Sequence, residues 1–298
     1  KAGFAGLIGL PNAGKSSLVN AILEEELSII SDKPQTTRQR VLGIYTSKKE
    51  QIVFVDAPGY IKKSSGLNNF LSKEFASIIE DSDMLVAVLN IDCDDLDALK
   101  EIVTIVKASG KKFFAVITKT DLSKIMRRDY LKLYLAENDV DYIETSVKKN
   151  SEHWRDEVID KISNYLPDSK APLYETDSFT PHTLREMTAE VIRGECFEAL
   201  YQEIPYNLAI RLRKIDESDD SVVKIFAEIV LAKENHKPIV VGQGGSTIKH
   251  IGTASRHKLE KLWDQKIFLN LQVKVRKNWL KEESFLKEFG YYIESDKK

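Results

Sequence analysis

Apolar residues arrive in short, regularly spaced runs through the first 165 or so positions. The first is FAGLIG, residues 4–9, which breaks into a glycine-rich turn and then a helical stretch from about Lys15. RQRVLGIYT (38–46) and QIVFVDAPG (51–59) lie close together, as an antiparallel pair does. MLVAVLNI (84–91), KKFFAVIT (111–118) and DYIET (141–145) follow, each separated by a helix-length segment. Runs that are apolar throughout, rather than at alternate positions, belong to strands covered on both faces. Their alternation with helices predicts an α/β fold with a mostly parallel sheet. The pattern stops near NYLPDSKAPLYETD (164–177), where Pro167 and Pro172 sit among polar neighbours. This predicts a first domain over 1–168, a linker over 169–182 and a second domain over 183–298.

The second part has a different rhythm. A long helix is expected from about residue 183 to 202, stopped before Pro205. Its Leu184, Met187, Val191 and Leu200 lie near helical spacing and are expected in the core. Two strands follow, NLAIRLRKI (207–215) and VVKIFAEIVLA (222–232), joined by the acidic turn DESDDS. A glycine loop, a basic helical stretch and a last strand, IFLNLQVKV (267–275), complete the pattern, which is α+β. No internal repeat is present.

Composition narrows this picture only a little. With 298 residues, 42% of them hydrophobic and 30% charged, there is apolar material for a core in each half. The net charge of −2 averages over the chain and identifies no partner. The two cysteines, Cys93 and Cys196, are far apart and fit no ligand spacing, so a reducing cytosol is the expected setting. The longest apolar runs are strand-sized, far short of a membrane span, and no signal peptide is read. The chain starts at Lys1 directly before a strand, so a few native residues are expected to precede it.

The turn after the first strand carries the clearest chemistry. Gly9-Leu10-Pro11-Asn12-Ala13-Gly14-Lys15-Ser16 fits the phosphate-loop pattern G-x-x-x-x-G-K-[ST]. Its glycines let backbone N–H groups turn inward around phosphates. Lys15 reaches the β and γ oxygens, and the Ser16 hydroxyl ligates Mg²⁺. Gly9, Asn12, Ala13, Gly14, Lys15, Ser16 and Ser17 are therefore expected to bind nucleotide. DAPG (56–59) closes a strand downstream: Asp56 can hold Mg²⁺ through water, and the Gly59 N–H can sense a γ-phosphate. Read alone, it is an ordinary Pro-Gly turn. TKTD (118–121) also follows a strand. Asp121 can accept from guanine N1–H and its amino group, which adenine lacks, while the Lys119 stem lies against the base. TSVK (145–148) follows the last strand and can offer a backbone N–H to guanine O6 from Ser146, Val147 or Lys148. Each match is weak singly; four in order, each after a strand, make a constellation for GTP or GDP.

These residues resemble the signature set of small GTPases. QTTRQR (35–40), GLPNAGKSSLVNAIL and DAPG resemble those of the Era family, bacterial Ras-like GTPases with a C-terminal RNA-binding KH domain. The resemblance implies a P-loop NTPase (Ras-like) fold and a slow intrinsic GTPase with Lys15, Thr37 and Gly59 in catalytic roles. Ser16, Thr37 and Asp56 are implied around the metal, with Thr36 a rival to Thr37. Where the guanine motif normally begins with Asn, this chain has Thr118. Where the last motif usually reads Ser-Ala, it has Ser146-Val147. Tyr60 stands where Ras carries its water-positioning glutamine, which Era proteins also lack. In related GTPases the asparagine at the position of Asn12 helps to bind K⁺, so K⁺ stimulation is expected through Asn12.

A second glycine loop, Gly242-Gln243-Gly244-Gly245, fits G-x-x-G, a pattern with little weight alone. Around it, residues 233–281 hold eleven Lys and Arg against Glu234, Glu260 and Asp264, a balance of +8 before histidines. That is the charge footprint of a nucleic-acid surface, or a solvated lysine-rich helix face. The order helix–strand–strand–GxxG–helix–strand resembles a type II KH domain, in which the GxxG turn clamps the backbone of single-stranded RNA. Gly242, Gln243, Gly244, Gly245, Lys249, Arg256, Lys274 and Lys277 are the expected RNA contacts. His236, His250 and His257 are expected at the surface or the RNA edge, with metal ligation as the alternative, and Trp263 and Trp279 in packing, with base stacking as the alternative.

The Era resemblance covers about residues 3–279. It implies single-stranded RNA, the 16S rRNA 3′ end and the 30S ribosomal subunit as partners, RNA-stimulated turnover, and a monomer in the cytoplasm. Peripheral attachment to the inner membrane stays open. Two other readings stand beside it: an RNA-binding assembly factor whose nucleotide site is structural, and a GTPase that acts on membranes or partner proteins.

Overall fold

The computed structural model describes residues 1–31, 33, 36–60, 67–149, 153–219 and 221–291. They form two compact units, Lys1–Lys63 with Leu71–Pro181, and His182–Lys298 with Ser64–Phe70.

The first unit follows the apolar rhythm of the sequence. Strands β1 (Ala2–Gly9), β2 (Val41–Thr46), β3 (Gln51–Asp56), β4 (Met84–Asn90), β5 (Lys112–Thr118) and β6 (Tyr142–Glu144) make one sheet in the order β2-β3-β1-β4-β5-β6. Only β2, paired to β3, is antiparallel. Helices α1 (Lys15–Leu23), α2 (Leu67–Asp81), α3 (Leu96–Ala108), α4 (Ile125–Glu137) and α5 (His153–Tyr165) intervene. Because β4 is buried at every position, its side chains feed two cores. Val86 and Val88 pack with Leu18 and Ile22 of α1 and Val158 and Ile162 of α5. Leu85, Ala87 and Leu89 pack with Ile78 of α2, Ile102 of α3 and Leu131 of α4. Burying a Leu, Val or Ile side chain contributes about 1.5–3 kcal/mol each, so this two-sided packing holds the strand ends in fixed register. The loops after β1, β3, β4, β5 and β6 all leave from the same sheet edge, where open α/β sheets bind ligands.

The stretch expected to be a linker, 169–182, is bound to the first unit through much of its length. Gln51, only 2% exposed, accepts from the backbone N–H groups of Leu173 and Tyr174 at 2.7 and 2.9 Å and donates to Tyr174 O at 3.0 Å. The Ile44 N–H of edge strand β2 donates to Phe179 O at 2.8 Å, and the Thr180 hydroxyl to Leu42 O at 2.7 Å. Prolines and polar residues signal a break in helix and strand. They carry no signal for a segment that satisfies the free edge of β2 instead of running through solvent.

In the second unit α6 (Leu184–Ala199) starts on a capping box. The Thr183 hydroxyl accepts from the Glu186 N–H, and the Glu186 carboxylate accepts from the Thr183 N–H. Strands β7 (Leu208–Asp216), β8 (Val223–Leu231) and β9 (Ile267–Val275) form a sheet in that order, β7 antiparallel and β9 parallel to β8. Between β8 and β9 lie α7 (Lys237–Val241) and α8 (Ser246–Trp263), with the second glycine loop joining them; α9 is Glu283–Glu288. Helices α7 and α9 are absent from the sequence pattern, since five or six residues span too few turns to show periodicity.

The apolar face of α6 differs from the expected one. Leu184 is 42% exposed, Met187 and Val191 are half-buried, and of the four expected residues only Leu200 is fully buried. The buried face carries Thr188, Ile192, Arg193, Cys196 and Phe197. Arg193 is 1% exposed and pairs with Glu190. A buried, paired arginine is invisible to a hydrophobic periodicity, so the pattern points one step off. His236 is also a correction: it is 2% exposed, with its Nε2 3.3 Å from Glu203 Oε1, whereas His250 and His257 are exposed.

Candidate functional site

A cavity of about 560 Å³ opens at the sheet edge of the first unit. Asn12, Ala13, Gly14, Lys15, Ser16, Ser17, Thr37, Gly59, Thr118, Lys119, Asp121, Val147 and Lys148 all line it. Gly9, Asp56 and Ser146, the remaining expected nucleotide residues, are hydrogen-bonded to Lys15, Ser16 and Asp121 of the lining.

The phosphate loop takes its shape from backbone that few residues adopt. Asn12 has φ 60° and Gly14 φ 92°, both in the left-handed region. Gly14 therefore has a conformational requirement, and it abuts Thr118. The Lys15 ammonium, 6% exposed, donates to Gly9 O at 3.3 Å and Leu10 O at 3.0 Å, curled under the loop. Burial lowers its pKa to about 8, against the opposing pull of Asp56. Burial likewise raises the Asp56 carboxyl above its usual range, with Lys15 and the Ser16 hydrogen bond working the other way.

Three oxygens meet beside Lys15. Ser16 Oγ donates to Asp56 Oδ2 at 2.6 Å and lies 3.2 Å from Thr37 Oγ1. The other oxygen of Asp56, which is fully buried, has no hydrogen-bond partner among the described residues. An all-oxygen donor set around a buried carboxylate with an unsatisfied oxygen fits Mg²⁺. Thr37 is the threonine placed in this group; Thr36 also lines the cavity. Gln35 lies outside the described residues.

Gly59 presses against the phosphate loop: a Cβ there would stand 2.5 Å from Pro11 N. The Tyr60 N–H donates to Gly9 O at 3.1 Å. The Tyr60 side chain turns away, its hydroxyl 3.0 Å from Glu101 Oε1 and its ring against Phe75.

At the other end of the cavity the Ser146 hydroxyl donates to Asp121 Oδ1 at 2.6 Å. This bond is the main cause of a lowered Asp121 pKa, so the carboxylate is held ionised as an acceptor. Thr118 Oγ1 donates to Ala13 O at 2.7 Å. Lys119, at φ 60°, has its ammonium 3.9 Å from Asp92 Oδ2. Sequence reading missed Asn90, Asp92, Cys93 and Leu122, which also line the cavity. Asn90 carries a legible signal, a lone polar residue at the end of an otherwise apolar run.

In the second unit, Gly242, Gly244 and Gly245 have φ of 77°, 58° and 80°. A Cβ on Gly242 would strike Thr247, whereas Gly244 and Gly245 face open space. The loop leads into α8, whose N-terminus has no side-chain cap. Its first N–H groups are thus available to an anion, beside exposed Gln243 and Lys249. Ile239, 53% exposed, stands in α7 just before the loop, and Gly252 of α8 faces Leu271 of β9 at 3.6 Å from where a Cβ would be. Arg256 is engaged with Glu260 at 3.1 Å. The structure separates Lys274 from the loop: in register with Val230, it projects from the sheet face opposite the helices. Strand alternation, which sequence charge counting ignores, decides this. Lys277 is exposed beyond the end of β9. Trp279 is fully buried against Phe289 and Tyr291, and Trp263 donates to Thr188 Oγ1 at 3.0 Å, so both are packing residues.

Comparisons with known proteins agree with both units. A family model described as a 50S ribosome-binding GTPase matches residues 4–119, and a KH domain model matches residues 203–280. GTPase Era of Caldanaerobacter subterraneus is 36% identical over 307 residues, covering 99% of each chain. GTPase Era of Borrelia turicatae is 34% identical, covering 96% of this chain and 98% of its own. Among solved structures, a variant of Aquifex aeolicus Era bound to GDP and AlF4⁻ superposes with TM-score 0.90 at 29% identity, covering 98% of this chain and 100% of that one. An Era structure in complex with MgGDPNP and nucleotides 1506–1542 of 16S ribosomal RNA gives TM-score 0.90 at 30% identity, covering 98% and 99%.

Proposed function

The chain belongs to the Era family of GTPases, and on that premise we propose that it is a GTP-hydrolysing switch that binds 16S rRNA near its 3′ end and assists assembly of the 30S subunit. The observation that carries the reading is the convergence of the four nucleotide motifs on one cavity of about 560 Å³. An open GxxG turn in the second unit, with its three glycines at positive φ, supports the RNA half.

Chemistry at the γ-phosphate is mostly positioning and charge. In this reading Lys15 and the loop N–H groups grip the β and γ oxygens. Ser16, Thr37 and Asp56 hold Mg²⁺, which when bound supplies positive charge to those oxygens. The Gly59 N–H meets the γ-phosphate, and its contact with Pro11 couples the segment after β3 to the loop. The Tyr60 side chain, committed to Glu101, has no part in orienting water, consistent with slow intrinsic turnover. Asn12 is assigned to K⁺; equal turnover in K⁺ and Na⁺ would remove that assignment. Asp121 reads guanine N1–H and the amino group, with Ser146, Val147 and Lys148 near O6.

The RNA backbone is assigned to Gly242–Gly245 and Lys249, with Arg256 and Lys277 at the margin; Lys274 would serve an RNA only by way of the other sheet face. The cytoplasm is the proposed place of work; no helix among the described residues is long and apolar enough to cross a membrane, which bears on spanning and not on peripheral attachment.

Asp121→Asn tests the nucleotide assignment. It replaces an acceptor by an amide donor, which suits the C2 carbonyl of xanthine. The expected result is loss of at least ~100-fold in GTP affinity with gain of XTP binding, two hydrogen bonds being exchanged. Unchanged GTP affinity would dismiss Asp121.

A further inference from the structure

Two neighbouring strand ends grip the back of the phosphate loop. Asn90 closes β4, Thr118 closes β5, and the two are paired in register. Asn90 Nδ2 donates to Asn12 O at 3.1 Å. Thr118 Oγ1 donates to the next carbonyl, Ala13 O, at 2.7 Å. Asn12 is held at φ 60°, a conformation that L residues adopt at a cost. Fixing two successive carbonyls on the strand side leaves the following N–H groups free to face the phosphates.

Hydrogen-bond capacity separates the two donors. A hydroxyl donates one hydrogen and an amide nitrogen two. With Thr118 where the guanine motif normally has Asn, residue 118 can hold Ala13 O and has no second hydrogen to give. The neighbouring carbonyl needs a donor from elsewhere, and Asn90 is the one in place.

Asn90 is also out of keeping with its strand. The other six residues of β4 are Met, Leu, Val, Ala, Val and Leu, all buried. Asn90 is 5% exposed, lines the cavity, and its Oδ1 has no hydrogen-bond partner among the described residues. A half-satisfied buried amide is a liability to the sheet, and an apolar residue there would pack without one.

We propose that Asn90 is a positioning residue of the nucleotide site, supplying the phosphate loop with the amide donor that is missing at Thr118. The proposal rests on the GTPase reading of the cavity. It makes Asn90 and Thr118 one functional pair, so changes at the two positions must be non-additive.

The test is a double-mutant cycle read by fluorescent mant-GDP titration and steady-state GTP turnover. Asn90→Ala is expected to weaken mant-GDP binding about tenfold and to raise KM while kcat stays within about twofold, as for loss of ground-state positioning. Thr118→Asn alone is expected to change affinity less than about threefold, within the scatter of one exchanged hydrogen bond. On the Asn90→Ala background it is expected to restore most of the loss. Should the alanine variant fail to fold, Asn90→Leu keeps much of the volume and removes the donor without adding charge, and the same loss and rescue apply. Wild-type affinity in the Asn90 variants would overturn the proposal. So would an equal loss whether or not residue 118 is changed, because that is the mark of a merely structural residue. Failure of the wild-type protein itself to bind mant-GDP would sink the GTPase reading, and the same titration reports it separately.

Discussion

Individual residues in this protein are set by burial as much as by partners. The two thiols illustrate the point. Cys196, wholly buried among α6 and the second sheet, has its pKa pushed up to about 12 by desolvation. Cys93, half-buried beside the nucleotide cavity, is also raised, again mainly by burial. Only the thiolate is nucleophilic, so neither site is activated. Iodoacetamide at pH 8 is expected to leave Cys196 unlabelled until the protein is denatured and to label Cys93 more slowly than a free cysteine. Bound nucleotide should slow Cys93 further, since it lines the cavity. Peptide mapping by mass spectrometry reads both rates; rapid labelling of Cys196 in the native protein would contradict its burial. The residues that line the cavity were largely legible in sequence because the chemistry expected there demands particular residue types at fixed offsets from strand ends. Asn90 shows in the sequence only as a lone polar residue ending an apolar run; its partner depends on which carbonyl lies across from it in three dimensions.

At the scale of elements, the segment leading into β2 is tied to α2 by a single side chain. Arg40 donates from Nε to Glu74 Oε1 at 2.7 Å, from one terminal nitrogen to Asp81 at 2.9 Å and from the other to Ser77 at 2.8 Å. Its backbone N–H also reaches Glu74 at 3.2 Å. Glu74 is 5% exposed, so removing its partner strands a buried carboxylate. Arg40→Met is expected to destabilise the first unit by about 3 kcal/mol, and Glu74→Gln on that background to recover part of the loss. Denaturant unfolding of the three proteins checks this, and a change below about 0.5 kcal/mol would place Arg40 among ordinary surface pairs. The clamp links the stretch carrying Thr37 to the helix that follows DAPG, the two places to which the proposed function assigns γ-phosphate contacts. Strands, helices and the mixed sheet were legible from period alone. The edge-covering path of 173–180, the one-step rotation of α6 and the short helix α7 were not. The first is decided by hydrogen bonds to residues over a hundred positions away, the second by a buried arginine paired with Glu190 that hydrophobicity does not register, and the third by a length too short to show a period.

At the scale of the molecule, the two glycine turns are built differently, each in keeping with the phosphate ligand proposed for it. The first is closed: its lysine is buried, its carbonyls are held from behind, and the oxygens of Ser16, Asp56 and Thr37 already meet. The second is open, with Gly244 and Gly245 facing space at a helix N-terminus that has no side-chain cap. A closed site suits a small ligand held for a chemical step, and an open one suits a polymer that slides in along its backbone. RNA binding should accordingly weaken steeply with salt, with a log–log slope of roughly −0.7 for each phosphate contacted.

The account stands or falls on whether these two sites work as one protein. The direct measurement is steady-state GTP turnover in K⁺ buffer, with and without a single-stranded RNA carrying the 3′ end of 16S rRNA, for wild type, for Lys15→Ala and for a variant with Gly244 and Gly245 both changed to Asp. The account predicts slow wild-type turnover that rises with RNA, none in Lys15→Ala, and a basal rate that no longer responds to RNA in the glycine-loop variant. Turnover that is indifferent to RNA while the RNA is demonstrably bound would contradict it, leaving a GTPase and an RNA-binding domain that share a chain and nothing more.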